Sequence, residues 1–155
     1  MNWKSGSDKT ITFYEIIQQI KSHHQKNGQV FVGTDSLANR KGCTFSTSIV
    51  LLGADEQRGA RFFYSKEKFP DYKGQSFYNR ILKEVEKSIN IAIKITEVCP
   101  NINLEIHLDV SPEGKNERTS QLSNMLIGYA KGSGFECKVK PDSFAASTVA
   151  DKYTK

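Results

Sequence analysis

Two short apolar runs that each close on an aspartate constrain the fold of this chain most: Val30-Phe31-Val32-Gly33-Thr34-Asp35-Ser36 and Leu104-Glu105-Ile106-His107-Leu108-Asp109-Val110. Their length and their β-branched and aromatic content read as strands. Laid side by side and parallel, they would bring Asp35 and Asp109 together at their C-terminal ends, within reach of one divalent cation.

The rest of the chain supplies the elements around them. Thr12-Phe13-Tyr14-Glu15 has the form of a capping box, and Phe13, Ile16, Ile17 and Ile20 follow at helical spacing until Gly28, which predicts a leading helix over about 12–26. Residues 1–10 carry no such pattern and are expected to be flexible. Three strands are expected next, Val30 to Ser36, Thr44 to Gly53 and Ala60 to Ser65, joined by short turn-rich connections that favour antiparallel hairpins. After a polar, basic loop from Lys66 to Gln75, Ser76 can cap a long helix. Phe77, Ile81, Val85, Ile89 and Ala92 line one face of it, with Leu82 and Ile93 beside them, until Pro100 forbids continuation.

The strand that ends at Asp109 follows, then a polar loop from Ser111 to Arg118. A helix from about Ser120 carries Leu122, Met125, Leu126 and Tyr129 and stops at Gly132-Ser133-Gly134. That glycine pair precedes a strand instead of opening a helix, so it reads as a helix stop and not as a phosphate loop. Phe135 to Val139 is a further strand, and Pro141-Asp142-Ser143 leads into a terminal helix from Phe144 to about Thr154.

The core order is therefore β-β-β-α-β-α-β-α. It predicts an α/β fold with a five-stranded mixed sheet, three antiparallel strands plus two parallel ones reached through crossovers, with helices flanking it. The order resembles that of the ribonuclease H-like fold, in which the first strand is central and the fourth lies parallel beside it. The resemblance implies that Asp35 and Asp109 are adjacent.

With 155 residues, 37% hydrophobic and 25% charged, the chain has the size and composition of one globular domain. No apolar run approaches the roughly 20 residues of a membrane span, and Met1 to Asp8 lacks the apolar core of a signal peptide, so no membrane association and a cytoplasmic location are expected. Cys43, Cys99 and Cys137 are odd in number and far apart, which argues against a disulfide framework or a structural zinc site. A net charge of +5 suits a polyanionic partner without requiring one.

A closer resemblance rests on an ordered set of segments: Val32-Gly33-Thr34-Asp35-Ser36, Arg80-Ile81-Leu82-Lys83-Glu84-Val85, Ile106-His107-Leu108-Asp109-Val110, Gly132-Ser133-Gly134-Phe135, Lys140-Pro141-Asp142 and Ala145-Ala146-Ser147-Thr148-Val149-Ala150-Asp151. Together they are similar to the YkuK-like family of uncharacterised bacterial and phage proteins, grouped with the ribonuclease H-like superfamily. The similarity covers roughly residues 10–155. It implies the superfamily's site, with one acid on the first strand, one on the first crossover helix, one on the fourth strand and one on the last helix. Carried over, these are Asp35, Glu84, Asp109 and Asp151. Glu86 rivals Glu84 but should point more toward solvent, and Asp142 is the alternative to Asp151.

Such a set implies Mg²⁺ or Mn²⁺, which take oxygen ligands, and a two-metal hydrolysis of phosphodiester bonds. Asp35 would bridge both ions, Asp109 and Glu84 would flank them, and Asp151 would complete the second site. The implied function is that of a metal-dependent nuclease acting on DNA, RNA or a hybrid, with a homodimer possible as in junction-cleaving relatives. The competing expectation is a binding module on the same fold, recognising nucleic acid or protein without turnover. A nucleotide-binding relative is disfavoured by the lack of a Gly-rich phosphate loop.

Plainer readings stand beside each residue. Asp35 and Asp109 can be turn formers or helix caps, Glu84 part of a solvated face with Lys83, Glu86 and Lys87, and Asp151 an ordinary polar residue near a frayed end. His107 can orient a ligand or be hydrogen-bonded inside the core, whereas His23 and His24 read as surface residues. Thr34 and Ser36 can hold bound water or phosphate, or serve as turn partners. Arg58, Arg61, Lys66, Lys68, Lys73, Arg80 and Lys83, interleaved with Phe69, Tyr72, Phe77 and Tyr78, fit either a nucleic-acid surface or ordinary solvation, and Lys115 and Arg118 would form an opposite wall.

Overall fold

Local signals set the helices and the sheet holds them in two layers. The computed structural model describes residues 1–70, 76–112 and 120–155, apart from the side chain of residue 121. Helix α1 (Phe13–Gln25) begins at Thr12, whose hydroxyl accepts from the Glu15 N–H at 3.1 Å, as the capping box requires. Helix α2 (Phe77–Val98) begins the same way at Ser76, which accepts from the Asn79 N–H at 3.1 Å. Helix α3 (Ser123–Gly132) follows a short 3-10 turn and ends before Gly134, whose φ of 95° only glycine adopts freely.

The sheet has seven strands where five were expected: β1 (Trp3–Ser5), β2 (Thr10–Ile11), β3 (Gln29–Asn39), β4 (Gly42–Leu52), β5 (Arg61–Phe69), β6 (Leu104–His107) and β7 (Glu136–Lys138), in the order β2-β1-β5-β4-β3-β6-β7. The additional two lie between Trp3 and Ile11, in and just after the segment 1–10 read from sequence as flexible. Trp3 pairs with Ser65 of β5 and is buried in the main core, which ties this segment down through contacts that a local pattern does not contain. The mixed character is as expected. Strands β3, β4 and β5 are antiparallel, and β6 and β7 are parallel additions on the other side of β3.

Alternation along β3 sorts the layers. Val30 and Val32 face the larger core, shared with Ile16 and Ile20 of α1, Val85, Ile89 and Ile95 of α2, and Leu126 of α3. Phe31 points the other way, into a second cluster with Val50 and Ala145. The helices α1, α2 and α3 thus cover one face, and a C-terminal helix covers the other. That helix runs through π-type turns over Ala145–Ala150 and closes with a 3-10 turn over Asp151–Tyr153. Leu82 and Ile93, expected beside the buried face of α2, are 41% and 39% exposed; Glu84 and Ser88 take the inward positions instead.

His23 is buried rather than superficial. Its Nε2 lies 2.9 Å from the Gln29 carbonyl and 3.0 Å from the Leu52 carbonyl, tying the end of α1 to β3 and β4. A Cβ on Gly28 would come 2.1 Å from that ring, so only glycine fits there.

Candidate metal centre

The register of the central strands sets the site. β3 and β6 run parallel from Val30 opposite Leu104 to Gly33 opposite His107, and two further steps of the same register put Asp35 level with Asp109. The ladder stops at His107 while β3 continues to Asn39, so Asp35 lies within a strand and Asp109 two residues beyond one. The break leaves an open edge on β3, around which groups from both faces of the sheet can meet.

Three carboxylates do meet there. Asp35, Glu84 and Asp109 each offer an oxygen, and these oxygens lie within 4.8 Å of one another. Asp35 is on the face covered by the C-terminal helix, next to Gly33, where a Cβ would come 2.4 Å from the backbone nitrogen of Ala146. Glu84 comes from α2 on the opposite face, 4% exposed, and the Ser36 hydroxyl donates to its Oε2. Asp151, the fourth acid expected from the sequence, sits on the C-terminal helix outside this group of three, and its side chain helps to raise the Asp35 pKa. The alternatives stand apart: Glu86 pairs with Lys83 at 3.5 Å with 42% of its side chain exposed, and Asp142 is exposed near His107.

Packed together, the acids resist ionisation. Burial, then hydrogen bonding and repulsion from Asp109 and a hydrogen bond with Asp151, push the Asp35 carboxyl up to about 8. Burial first, then the charge of Asp35, pushes Glu84 well above the usual carboxylate range, with Ser36 and Arg80 opposing the rise. Buried acids in mutual repulsion are a strained arrangement.

Two cations from elsewhere in the chain stand at the rim, and sequence reasoning did not mark either as a site residue. Lys140 Nζ is 3.4 Å from Asp109 Oδ1, and Lys155 Nζ is 3.8 Å from Asp151 Oδ2. Lys140 belongs to one of the segments that carry the family resemblance, but no spacing in the sequence links it to Asp109.

Histidine and hydroxyl groups brace the site from behind. The His107 ring is 1% exposed; its Nδ1 accepts from the Ala145 N–H at 3.1 Å, and its Nε2 faces Glu105 at 3.0 Å. Burial lowers its pKa, which keeps Nδ1 available as an acceptor. Ser48 donates to the Ala145 carbonyl at 2.6 Å, so both backbone polar groups at the start of the C-terminal helix are fixed. Thr34, between Thr47 at 3.1 Å and Ser88 at 2.8 Å, fastens β3 to β4 and α2 and is not a turn partner.

The basic groups named from sequence are dispersed. Arg61 donates to Gln19 at 3.0 Å, Arg80 lies over the Phe77 ring and near Glu84, and Lys66 and Lys68 line one exposed face of β5. Tyr72, Lys73, Lys115 and Arg118 fall outside the described residues.

A family profile described as ribonuclease H-like matches residues 12–155. The chain belongs to this family. It is similar to the uncharacterized protein YkuK of Bacillus subtilis (strain 168), at 27% identity over 168 residues, 96% of this chain and 94% of that protein. No solved structure matches it. Family membership and the acidic cluster point to a nuclease-type or nucleic-acid-related function, and ribonuclease H-like folds commonly use divalent metals. Among the described residues no helix is long and apolar enough to cross a membrane.

Proposed function

We propose that the protein is a metal-dependent nuclease that hydrolyses phosphodiester bonds in nucleic acid at Asp35, Glu84, Asp109 and Asp151, with Mg²⁺ or Mn²⁺. The observation that carries this reading is the convergence of three carboxylate oxygens within 4.8 Å at the open edge of the central strand. The donor set fits such ions: every ligand atom is a hard carboxylate oxygen, and a dication relieves the repulsion that keeps Asp35 and Glu84 protonated. When bound, two such ions supply Lewis acidity for an attacking water and a leaving oxygen.

The protein's own contributions follow from its contacts. Ser36 fixes one oxygen of Glu84. His107 and Ser48 anchor the helix on which Asp151 rides, six residues beyond Ala145. Lys140, whose side chain is 40% exposed, holds a positive charge at the rim beside Asp109, where the non-bridging oxygens of a phosphodiester need one.

Incubation with labelled RNA/DNA hybrid, single strands and four-way junctions in Mg²⁺ or Mn²⁺ tests the proposal. The expected result is cleavage of at least one substrate that Asp35→Asn abolishes; no cleavage above that variant on any substrate contradicts it. One observation favours a second reading, a binding module without turnover: the Lys140 and Lys155 ammonium groups already oppose Asp109 and Asp151. Salt-dependent nucleic-acid affinity that Asp109→Asn leaves unchanged, with no cleavage, selects that reading.

A further inference from the structure

A cleft away from the carboxylates is lined by Asn2, Lys4, Tyr64, Lys66 and Tyr153. It shares a sheet face with Asp35. Lys66 pairs with Ser46 of β4 and Ser46 with Asp35, while Lys4 pairs with Tyr64 and Tyr64 with Ser48. Directly paired residues of antiparallel strands project to the same side, so one row runs from Lys66 through Ser46 to Asp35. Two strand spacings put Lys66 about 10 Å from Asp35, a couple of nucleotides along an extended strand. The Ser46 hydroxyl between them is fully buried, so the row fixes the direction from Lys66 to Asp35 but is not itself a contact surface.

The chemistry of the cleft is basic and aromatic. Lys4, Lys66 and Lys152 are exposed. Lys66 donates to a main-chain oxygen of Lys155 at 3.4 Å, and its ammonium group is otherwise exposed. Tyr153, half-buried, stacks on Tyr64 with ring centroids 3.6 Å apart and planes 9° from parallel, and the Lys152 ammonium lies 5.5 Å from the Tyr153 centroid. Tyr64 is buried and donates its hydroxyl to Asp8, so it forms a fixed base that holds the Tyr153 ring in place. Asp8, the acid that reaches this region, is engaged in that bond.

We propose that this cleft is a subsite for single-stranded nucleic acid, in which Lys4 and Lys66 hold phosphates and Tyr153 stacks an unpaired base. A duplex keeps its bases stacked on one another and cannot offer one to the ring, whereas a single strand can. The inference rests on the nuclease reading only for its place beside the scissile bond; binding at the cleft stands or falls separately.

Fluorescence anisotropy of a labelled oligothymidylate, titrated with the full chain in EDTA, tests it. Lys4→Gln combined with Lys66→Gln weakens binding about tenfold and flattens the dependence of log affinity on log salt by about 1.4, at about 0.7 for each single-strand phosphate contact. Tyr153→Leu weakens single-strand binding about tenfold while duplex binding stays as in the wild type, and Tyr153→Phe restores it. Thermal melts verify that each variant is folded, and the two lysines, being exposed, are safe to change. Wild-type affinity in the lysine or leucine variants overturns the subsite, as does equal loss on duplex and single strand, or binding of polyglutamate that ignores Tyr153. If nothing is cleaved but single-strand binding still depends on Lys66 and Tyr153, the nuclease reading fails and the subsite stands. If cleavage occurs while affinity and KM ignore these residues, the reverse holds.

Discussion

Two neighbouring stretches of β3, Val30 to Val32 and Thr34 to Ser36, are both buried and built from opposite materials. Val30, Phe31 and Val32 fill apolar space on both sides of the sheet, whereas Thr34, Asp35 and Ser36, all under 10% exposed, face hydroxyls and carboxylates. Burial of the first three stabilises the fold at about 25 cal/mol per Å² of apolar surface. Burial of Asp35 next to two other acids works against it, because each carboxylate loses water and gains like-charged neighbours. Gly33 is the hinge of this contrast: it lets the C-terminal helix lie against the strand and bring Asp151 to the acidic stretch. One stretch of the strand serves stability, and the other makes sense as a place kept for a cation.

Substitutions on either side of Gly33 should therefore have opposite effects. Asp35→Asn is expected to cut cleavage by at least about 100-fold while raising the stability of the metal-free protein at alkaline pH. Val32→Ala should do the converse, costing about 2 kcal/mol of stability in urea melts and leaving the activity per folded molecule unchanged. Loss of activity without the gain in stability, or the reverse pattern at Val32, breaks the contrast.

The pH dependence has a definite sign. The Asp35 carboxyl titrates near 8 in the folded protein against an ordinary 3.8, so the folded state holds its proton more tightly than the unfolded one. Its contribution is complete below about pH 4 and is lost as pH rises through about 8, a loss of a few kcal/mol. The melting temperature of the EDTA-treated protein should fall over that window, and either Mn²⁺ or Asp35→Asn should flatten the fall. A melting temperature that rises from pH 5 to 8 argues against a strained carboxylate cluster.

Gly33→Ala should cost roughly 1–3 kcal/mol, because the added carbon meets helix backbone, and should lower activity beyond what the residual unfolding explains, because Asp151 moves. Activity proportional to the folded fraction would show that the seat of the helix matters only for stability. The smallest effect is expected at Lys140→Gln: under about 1 kcal/mol in stability, since its ion pair is exposed, with a several-fold rise in KM. An unchanged KM removes Lys140 from substrate binding.

The sequence disclosed those features that depend on local pattern. The order of elements follows from helical and strand periodicity, and Glu84 was separable from Glu86 because one residue shares the phase of Ile81 and Val85 and the other does not. Asp35 and Asp109 stood out because each closes an apolar run, although β3 in fact continues to Asn39. That extension escaped notice because Leu37-Ala38-Asn39 reads as a turn until its pairing with Gly42, Cys43 and Thr44 is known. β1 and β2 were illegible for the same reason, since three residues around Trp3 become a strand only through pairing with Ser65 and its neighbours. Lys140 and Lys155 reach the acids through the tertiary fold, which no spacing encodes. Thr34, Thr47 and Ser88 form a buried hydroxyl cluster on three different elements, and no one segment contains its signature.

Anomalous scattering from a crystal soaked in Mn²⁺ shows whether Asp35 and Asp109 share a cation. At least one strong peak is expected within coordination distance of both Asp35 and Asp109, at about 2.0–2.5 Å from carboxylate oxygens. An absence of any peak between them at saturating Mn²⁺, with the Lys140 ammonium still seated on Asp109, would contradict that expectation.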